Sequence, residues 1–449
     1  MNTVHMRAPG AQSLAGEKQQ RLYYLDWLRM LAILGVFFIH SGNMFDMLYK
    51  PVSPTRQTSS VMRSAEAVDG FASGGMYFLN FLPQWGMSLF FLLSGAGTCF
   101  ALRHRTSHQF IHERLLRLLI PLIAGCLVIA PFQAYFEALS NSLFHGSLWQ
   151  FYPFFLEHLR PVLNPQWLGS VAHHLWFLAD LLVFSLMTLP VCLFLKRAVG
   201  RRFLDQLAHR CERPGGLLLL FLPIALIQVA LRASFPGYQN WSDVCCWLTF
   251  YLYGYILFSH PRFGEALQRQ GKLALYLGIG GFLGVMVLWC IGLLGSWANT
   301  PDYSVGCLLF QVLASWNLWC WLLVILSMGR THLNFQSKLL EYGGVASFPF
   351  YLLHFPVVIV AAYVVLPWHM NIMAAYVCMS TCAFLITLAF TDLLFLRLSG
   401  ARMVFGRKGH IHLVRQRIAA LVIQAASMGK VAHEAPPRVR TRVLTGSLI

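Results

Sequence analysis

Uncharged stretches of near twenty residues, each bounded by charges or by Pro and Gly, recur ten times along the chain. They fall at approximately 24–45, 77–101, 114–138, 172–195, 216–234, 241–258, 272–295, 304–328, 343–366 and 371–397. About twenty helical residues at ~1.5 Å each cross a hydrocarbon core of about 30 Å. The pattern therefore predicts an all-α polytopic transmembrane bundle of about ten spans. Three spans are imperfect: the first holds Asp26, Arg29 and His40, the fourth holds Asp180, and the sixth is short and begins beside Asp243.

The charges between the spans give a sidedness. Even-numbered connections carry Arg103, Arg105 and Arg114, then Lys196, Arg197, Arg201, Arg202, Arg210 and Arg213, then Arg262 and Arg269, then Arg330 and Lys338. The odd ones carry only Lys50, Arg56, Arg63 and Arg160. By the positive-inside rule the even connections and both termini are cytoplasmic. Residues 1–22 read as a polar cytoplasmic tail, 23–398 as the membrane domain, and 399–449 as a basic cytoplasmic tail with a short apolar stretch from Ile418 to Ala426. The first span reads as retained rather than cleaved. Two outer loops, about 46–76 and 139–171, form the main surface on the far side; the second holds Phe144, Trp149, Phe151, Tyr152 and Trp167. Those rings suit either an interfacial aromatic belt or stacking on sugar faces.

Composition removes several alternatives. With 57% hydrophobic and 11% charged residues and a mean hydropathy of +0.58, the chain lies outside the range of soluble domains, and its partner is the lipid bilayer. The net charge of +17 is spread by membrane side rather than gathered into a domain, which speaks against nucleic acid. Eleven cysteines, mostly inside apolar segments and without CxxC pairs, point to neither a disulfide framework nor a metal site.

The costly residues inside the spans are the candidate chemistry. Only ten uncharged residues separate Arg29 from His40, so one or both sit at membrane depth, where an ionisable side chain is a functional candidate by default. Eleven steps of about 100° return a helix to nearly the same face, roughly 16 Å further on. His40 is the candidate catalytic residue, as general base or as carrier of a transferred acyl group, with Arg29 in register behind it. Arg114 and Arg117, three apart at the start of the third span, read as two guanidinium groups converging at a helix N-terminus, a site for phosphate or pyrophosphate. His174, Trp176 and Asp180 open the fourth span; Asp180 calls for an arginine or histidine partner on a neighbouring helix. Tyr351 and His354 share a face of the ninth span, and His354 could line one cavity with His40 or serve as helix glue; His174, Trp176, Asp180, Tyr351 and His354 are read as substrate-orienting or structural. From the residues alone, a transporter exporting an acylated or anionic metabolite fits as well as an enzyme.

The motifs resemble the acyltransferase 3 family of integral membrane acyltransferases. Tyr24-Leu25-Asp26-Trp27-Leu28-Arg29 with His40 resembles its first-helix Arg-x10-His motif, and Arg114-Leu115-Leu116-Arg117 its RxxR. His174-Leu175-Trp176-Phe177-Leu178 and Phe348-Pro349-Phe350-Tyr351-Leu352-Leu353-His354 resemble two further blocks, closest in wording to the branch that includes glucan biosynthesis protein C. The resemblance implies a multi-pass inner-membrane enzyme with no tightly bound cofactor. It would move a succinyl or acetyl group from cytoplasmic acyl-CoA, its phosphates held by Arg114 and Arg117, to a hydroxyl of an extracytoplasmic carbohydrate such as a glucan.

Overall fold

The structure is a computed structural model describing residues 22–48, 70–140, 142–157, 164–293, 297, 300–368 and 370–393. Both tails, most of the first outer loop and residues 158–163 of the second lie outside the described residues, and with them Arg160 and the stretch from Ile418 to Ala426. All ten predicted segments are helical over most of their described length, and among the described residues there is no strand.

Eight helical segments are long and apolar enough to cross a membrane: Tyr23–Met44, Trp85–His104, Ser107–Leu139, Pro165–Met187, Pro261–Cys290, Val305–His332, Lys338–Trp368 and Ile372–Leu393. The fifth and sixth predicted spans are shorter, as Leu218–Leu231 and the 17-residue helix Trp241–Leu257. The reason is a charged pair inside the apolar run. Arg232 and Asp243 bond to each other where the two helices meet, and the turn between them carries Pro236 and Gly237, the latter at φ 87°. Both helices end at that turn. The third span also differs, beginning seven residues early. Thr106 caps the helix through a reciprocal capping box with Gln109, and the chain stays helical to Ser140 through a π turn at Leu115–Leu119.

The helices that matter for the site are α1 (Tyr23–Leu48), α2 (Gly70–His104), α3 (Ser107–Arg114), α4 (Ile120–Ser140), α5 (Leu148–Glu157), α6 (Pro165–Ala172), α7 (Trp176–Met187) and, further on, Trp241–Leu257 and Lys338–Val365. α1 packs against Lys338–Val365, α2 and Val305–His332. Phe37 of α1 is fully buried among Phe350, Val358, Ile359 and Met379, which fixes its rotation. α2 and Trp241–Leu257 touch backbone to backbone. A Cβ at Gly95 would lie 1.8 Å from the Tyr251 carbonyl oxygen, and one at Gly254 would lie 1.8 Å from that of Leu92. Outside this interior, Val128, Leu226, Tyr276, Leu283 and Leu309 stand exposed, the apolar rim a bilayer would cover.

Candidate active site

One stripe of α1, made of Asp26, Arg29, Ile33, Val36, His40 and Asn43, lines a cavity of about 800 Å³. The alternation of three and four residues keeps the stripe on one face. The eleven-residue spacing thus places Arg29 and His40 on the same wall. Lys338–Val365 contributes Tyr351 and Phe355, α7 contributes Trp176 and Phe177, and α4 contributes Gln133 and Glu137.

Three imidazoles cluster on that wall. The His40 and His354 ring centres are 5.4 Å apart, as are those of His174 and His354. His40 and His174 line the cavity, while His354, 1% exposed, lies behind them. A chain of hydrogen bonds assigns the tautomers. Gln133 Nε2 donates to His174 Nδ1 at 2.6 Å, leaving His174 Nε2–H to donate to the Leu352 carbonyl at 3.3 Å. That carbonyl lacks its helical partner because residue 356 is proline, so His174 fills a gap in the backbone ladder. Tyr351 Oη donates to the His174 carbonyl at 2.6 Å, and His354 Nδ1–H donates to the Tyr351 carbonyl at 2.7 Å. His174 is therefore saturated, whereas His354 keeps an unprotonated Nε2, buried and without a hydrogen-bond partner.

Arg29 holds the other end of the cavity. Its Nη2 donates to the Leu93 carbonyl at 2.9 Å and its Nη1 lies 3.6 Å from Asp26 Oδ1. Gly97 permits this, since a Cβ there would stand 2.9 Å from Nη2. Asp26 and Arg29 also line a second cavity, of about 820 Å³, whose walls carry Arg103, His104, Arg105, His260 and Arg330. The two spaces share this pair as a common wall. Arg103 is tied to the Phe258 carbonyl at 2.6 Å and Arg105 to Glu113 at 2.9 Å. Arg330 lies flat on Gly264, where a Cβ would come within 1.7 Å of Nη1, and makes no ion pair among the described residues.

Two sequence expectations need correction. Arg114 and Arg117 do not converge at a helix N-terminus, because the helix starts at Ser107 and the π turn widens the step between them. Arg114 Nη2 donates to Thr98 Oγ1 at 2.9 Å, its guanidinium lies over Phe110, and Thr98 Oγ1 is 2.6 Å from Tyr251 Oη. Arg117 is exposed, and neither arginine lines either cavity. Asp180 is buried in α7 but has no arginine or histidine partner, nor any hydrogen bond, among the described residues. One turn before it, Trp176 stacks on Trp247 at 4.7 Å, with Tyr238 edge-on to both.

The first cavity is also lined by His173, Tyr238 and Gln239. His173 (φ 46°) and Gln239 (φ 60°) both hold positive φ, uncommon for residues with a Cβ. The Arg232–Asp243 pair holds this turn, since Asp243 Oδ2 also accepts from the Gln239 backbone N–H at 3.1 Å. In the second outer loop, Phe144, Phe151 and Phe155 pack with Tyr135 of α4. Their rings are committed to packing, and Trp149 stands exposed.

Sequence reasoning did not single out Gln133, Arg330 or the Tyr238–Gln239 turn. A signal existed for the first, since a lone amide in an apolar span needs a partner. The other two depend on distant segments meeting.

The described residues form an all-α multi-pass bundle with buried histidines beside a cavity that shares a wall with a basic one. The acyltransferase domain family (acyltransferase 3) matches residues 22–396, and the chain belongs to this family. It is a membrane acyltransferase. No curated protein and no solved structure matches it.

Proposed function

We propose that the protein moves a succinyl or acetyl group from cytoplasmic acyl-CoA to a hydroxyl of an extracytoplasmic carbohydrate, with a glucan as the favoured acceptor. The observation that carries this reading is the pair of cavities meeting at Asp26 and Arg29, with His40 on the wall of the inner one. The basic cavity suits the donor's phosphates, and Arg330 is its uncommitted guanidinium. We assign the phosphates there rather than to Arg114, whose guanidinium is used by Thr98 and Phe110. The pantetheine arm then passes Arg29 and follows α1 for about 16 Å to His40. The wording of the four sequence blocks supports the carbohydrate acceptor and an inner-membrane location.

In this reading the acceptor enters past Tyr238, Gln239 and His173. His40 removes the hydroxyl proton as the oxygen attacks the thioester carbon. The C–O bond forms, the C–S bond breaks, and the leaving CoA thiolate takes the proton from the imidazolium. Arg29 orients the donor and would pair with a succinyl carboxylate.

The test is purified protein in vesicles with labelled acyl-CoA and a candidate sugar. Covalent label on the sugar is expected; label crossing the membrane without acylation would identify a transporter instead. Arg330→Ala is expected to raise the acyl-CoA KM about 10-fold or more, the worth of a charge-assisted hydrogen bond of about 1.5 kcal/mol or above, while kcat at saturation changes little. An unchanged KM removes Arg330 from the donor site.

A further inference from the structure

The buried Nε2 of His354 has no explanation in the packing. Its Nδ1–H is fixed on the Tyr351 carbonyl, so Nε2 carries a lone pair, yet the atom is sealed from solvent and pairs with nothing. An acceptor left this way in a protein interior costs free energy unless a partner reaches it in some state of the molecule. Of the two imidazoles around it, His174 has both nitrogens engaged. His40 makes no hydrogen bond among the described residues, and its ring centre lies 5.4 Å away, tilted by 40°. Two in-line imidazoles joined by an N–H···N bond of about 3 Å, with about 1.2 Å from each ring centre to its nitrogen, sit roughly 5.4 Å apart. The separation of the two ring centres thus matches that of a hydrogen-bonded pair. His40 is also in edge-on ring contact with Phe355 at 4.6 Å.

We infer that His354 is a positioning residue that accepts one N–H of His40 through its Nε2 and so turns the other His40 nitrogen, with its lone pair, toward the cavity. This inference rests on His40 being the base. His354 does the work that a carboxylate does behind other catalytic histidines, but without charge, which suits a site at membrane depth. When His40 takes the acceptor's proton, the imidazolium's second N–H is already bonded to His354, and no proton need leave the pair. The bond of Nδ1–H to the Tyr351 carbonyl holds the His354 tautomer that makes this possible.

Two amide isosteres separate this role from a structural one. Asn places its Nδ2 where His354 carries Nδ1 and so keeps the bond to the Tyr351 carbonyl, while Gln places a polar atom where His354 carries Nε2. His354→Asn is expected to lower kcat by about 10-fold to 100-fold with the acyl-CoA KM unchanged, and His354→Gln to retain most of kcat. Activity in the Asn variant, or equal loss in both at matched folded abundance, overturns the inference. In a His40→Ala background His354→Asn is expected to cause no further loss, and full additivity overturns it as well. An active His40→Ala enzyme would instead remove the base assignment itself, so the two failures are distinguishable. In the unmodified protein, solid-state spectra of ¹⁵N-labelled histidine are expected to show a hydrogen-bonded nitrogen pair between His40 and His354. A His354 proton on Nε2 contradicts the proposal whatever the variants do.

Discussion

His40→Ala is expected to lower acyl transfer by a factor of about 10² to 10⁴, the usual contribution of a positioned general base, in protein that inserts and folds as before. The side chain is half-buried on the cavity wall and makes no hydrogen bond among the described residues, so removing it breaks no structural bond there. Its neighbour Phe37, fully buried, carries the packing that sets the rotation of α1. Donor affinity is expected to be unchanged, since the basic cavity lies at the Arg29 end of the stripe. The check is turnover of labelled acyl-CoA at matched folded abundance, beside equilibrium binding of unlabelled CoA. Loss of turnover with intact binding places His40 in the chemical step; normal turnover removes it.

Gly254→Ala is expected to be among the most destabilising single changes in the chain, at about 3 kcal/mol, the upper part of the usual range for overpacking. The new Cβ would meet the Leu92 carbonyl oxygen at 1.8 Å and the Ala96 nitrogen at 2.9 Å, and a backbone cannot rotate aside as a side chain can. Relief requires α2 and Trp241–Leu257 to separate. That separation would pull Tyr251 from Thr98, and with it the support of Arg114. Gly280→Ala is the control, because a Cβ there meets nothing within 4 Å and Ala is the better helix former. The folded fraction after heating in detergent is expected to fall sharply for position 254 and to hold or rise for position 280. Equal behaviour at the two sites would show that the close approach of these helices does not limit stability.

The long apolar runs made the helical bundle readable from the residues alone, because lipid leaves a backbone few other choices. Where charged residues fell inside a run, length was misjudged. Arg232 and Asp243 were absorbed into two spans, although together they end both helices. The start of the third span was misplaced for the opposite reason. Thr106 and Gln109 form a capping box visible in the sequence, but the polar turn after it masked the helix beginning there. With the start misplaced, Arg114 and Arg117 looked like a terminal pair, and the π turn that separates them has no simple sequence signature.

The Arg29–His40 stripe was legible because both residues lie on one helix, where spacing alone determines the shared face. The approach of His354 to His40 was legible only as an option, since it depends on how Lys338–Val365 packs against α1. Its tautomer was not legible, as it rests on the Tyr351 carbonyl three residues back and on the sealed environment of Nε2. Arg330 belongs to the same class. Its place beside Arg29 follows from the packing of α1 on Val305–His332 and from the absence of a side chain at Gly264. The partner foreseen for Asp180 did not materialise, and nothing in its sequence neighbourhood distinguished a paired carboxylate from an isolated one.

The account rests on a continuous path for the donor from the basic cavity, past Arg29, to position 40. Coenzyme A carries its own reporter in the free thiol at the end of the pantetheine arm. The decisive measurement is disulfide trapping in His40→Cys: incubation with CoA and the thiol oxidant diamide, followed by peptide mass mapping. The oxidant removes the two hydrogens as the S–S bond forms between CoA and the introduced thiol. The account predicts a CoA adduct at position 40, lost when Arg330→Ala is combined with it. Adducts only on other cysteines, with position 40 unmodified, would contradict the path.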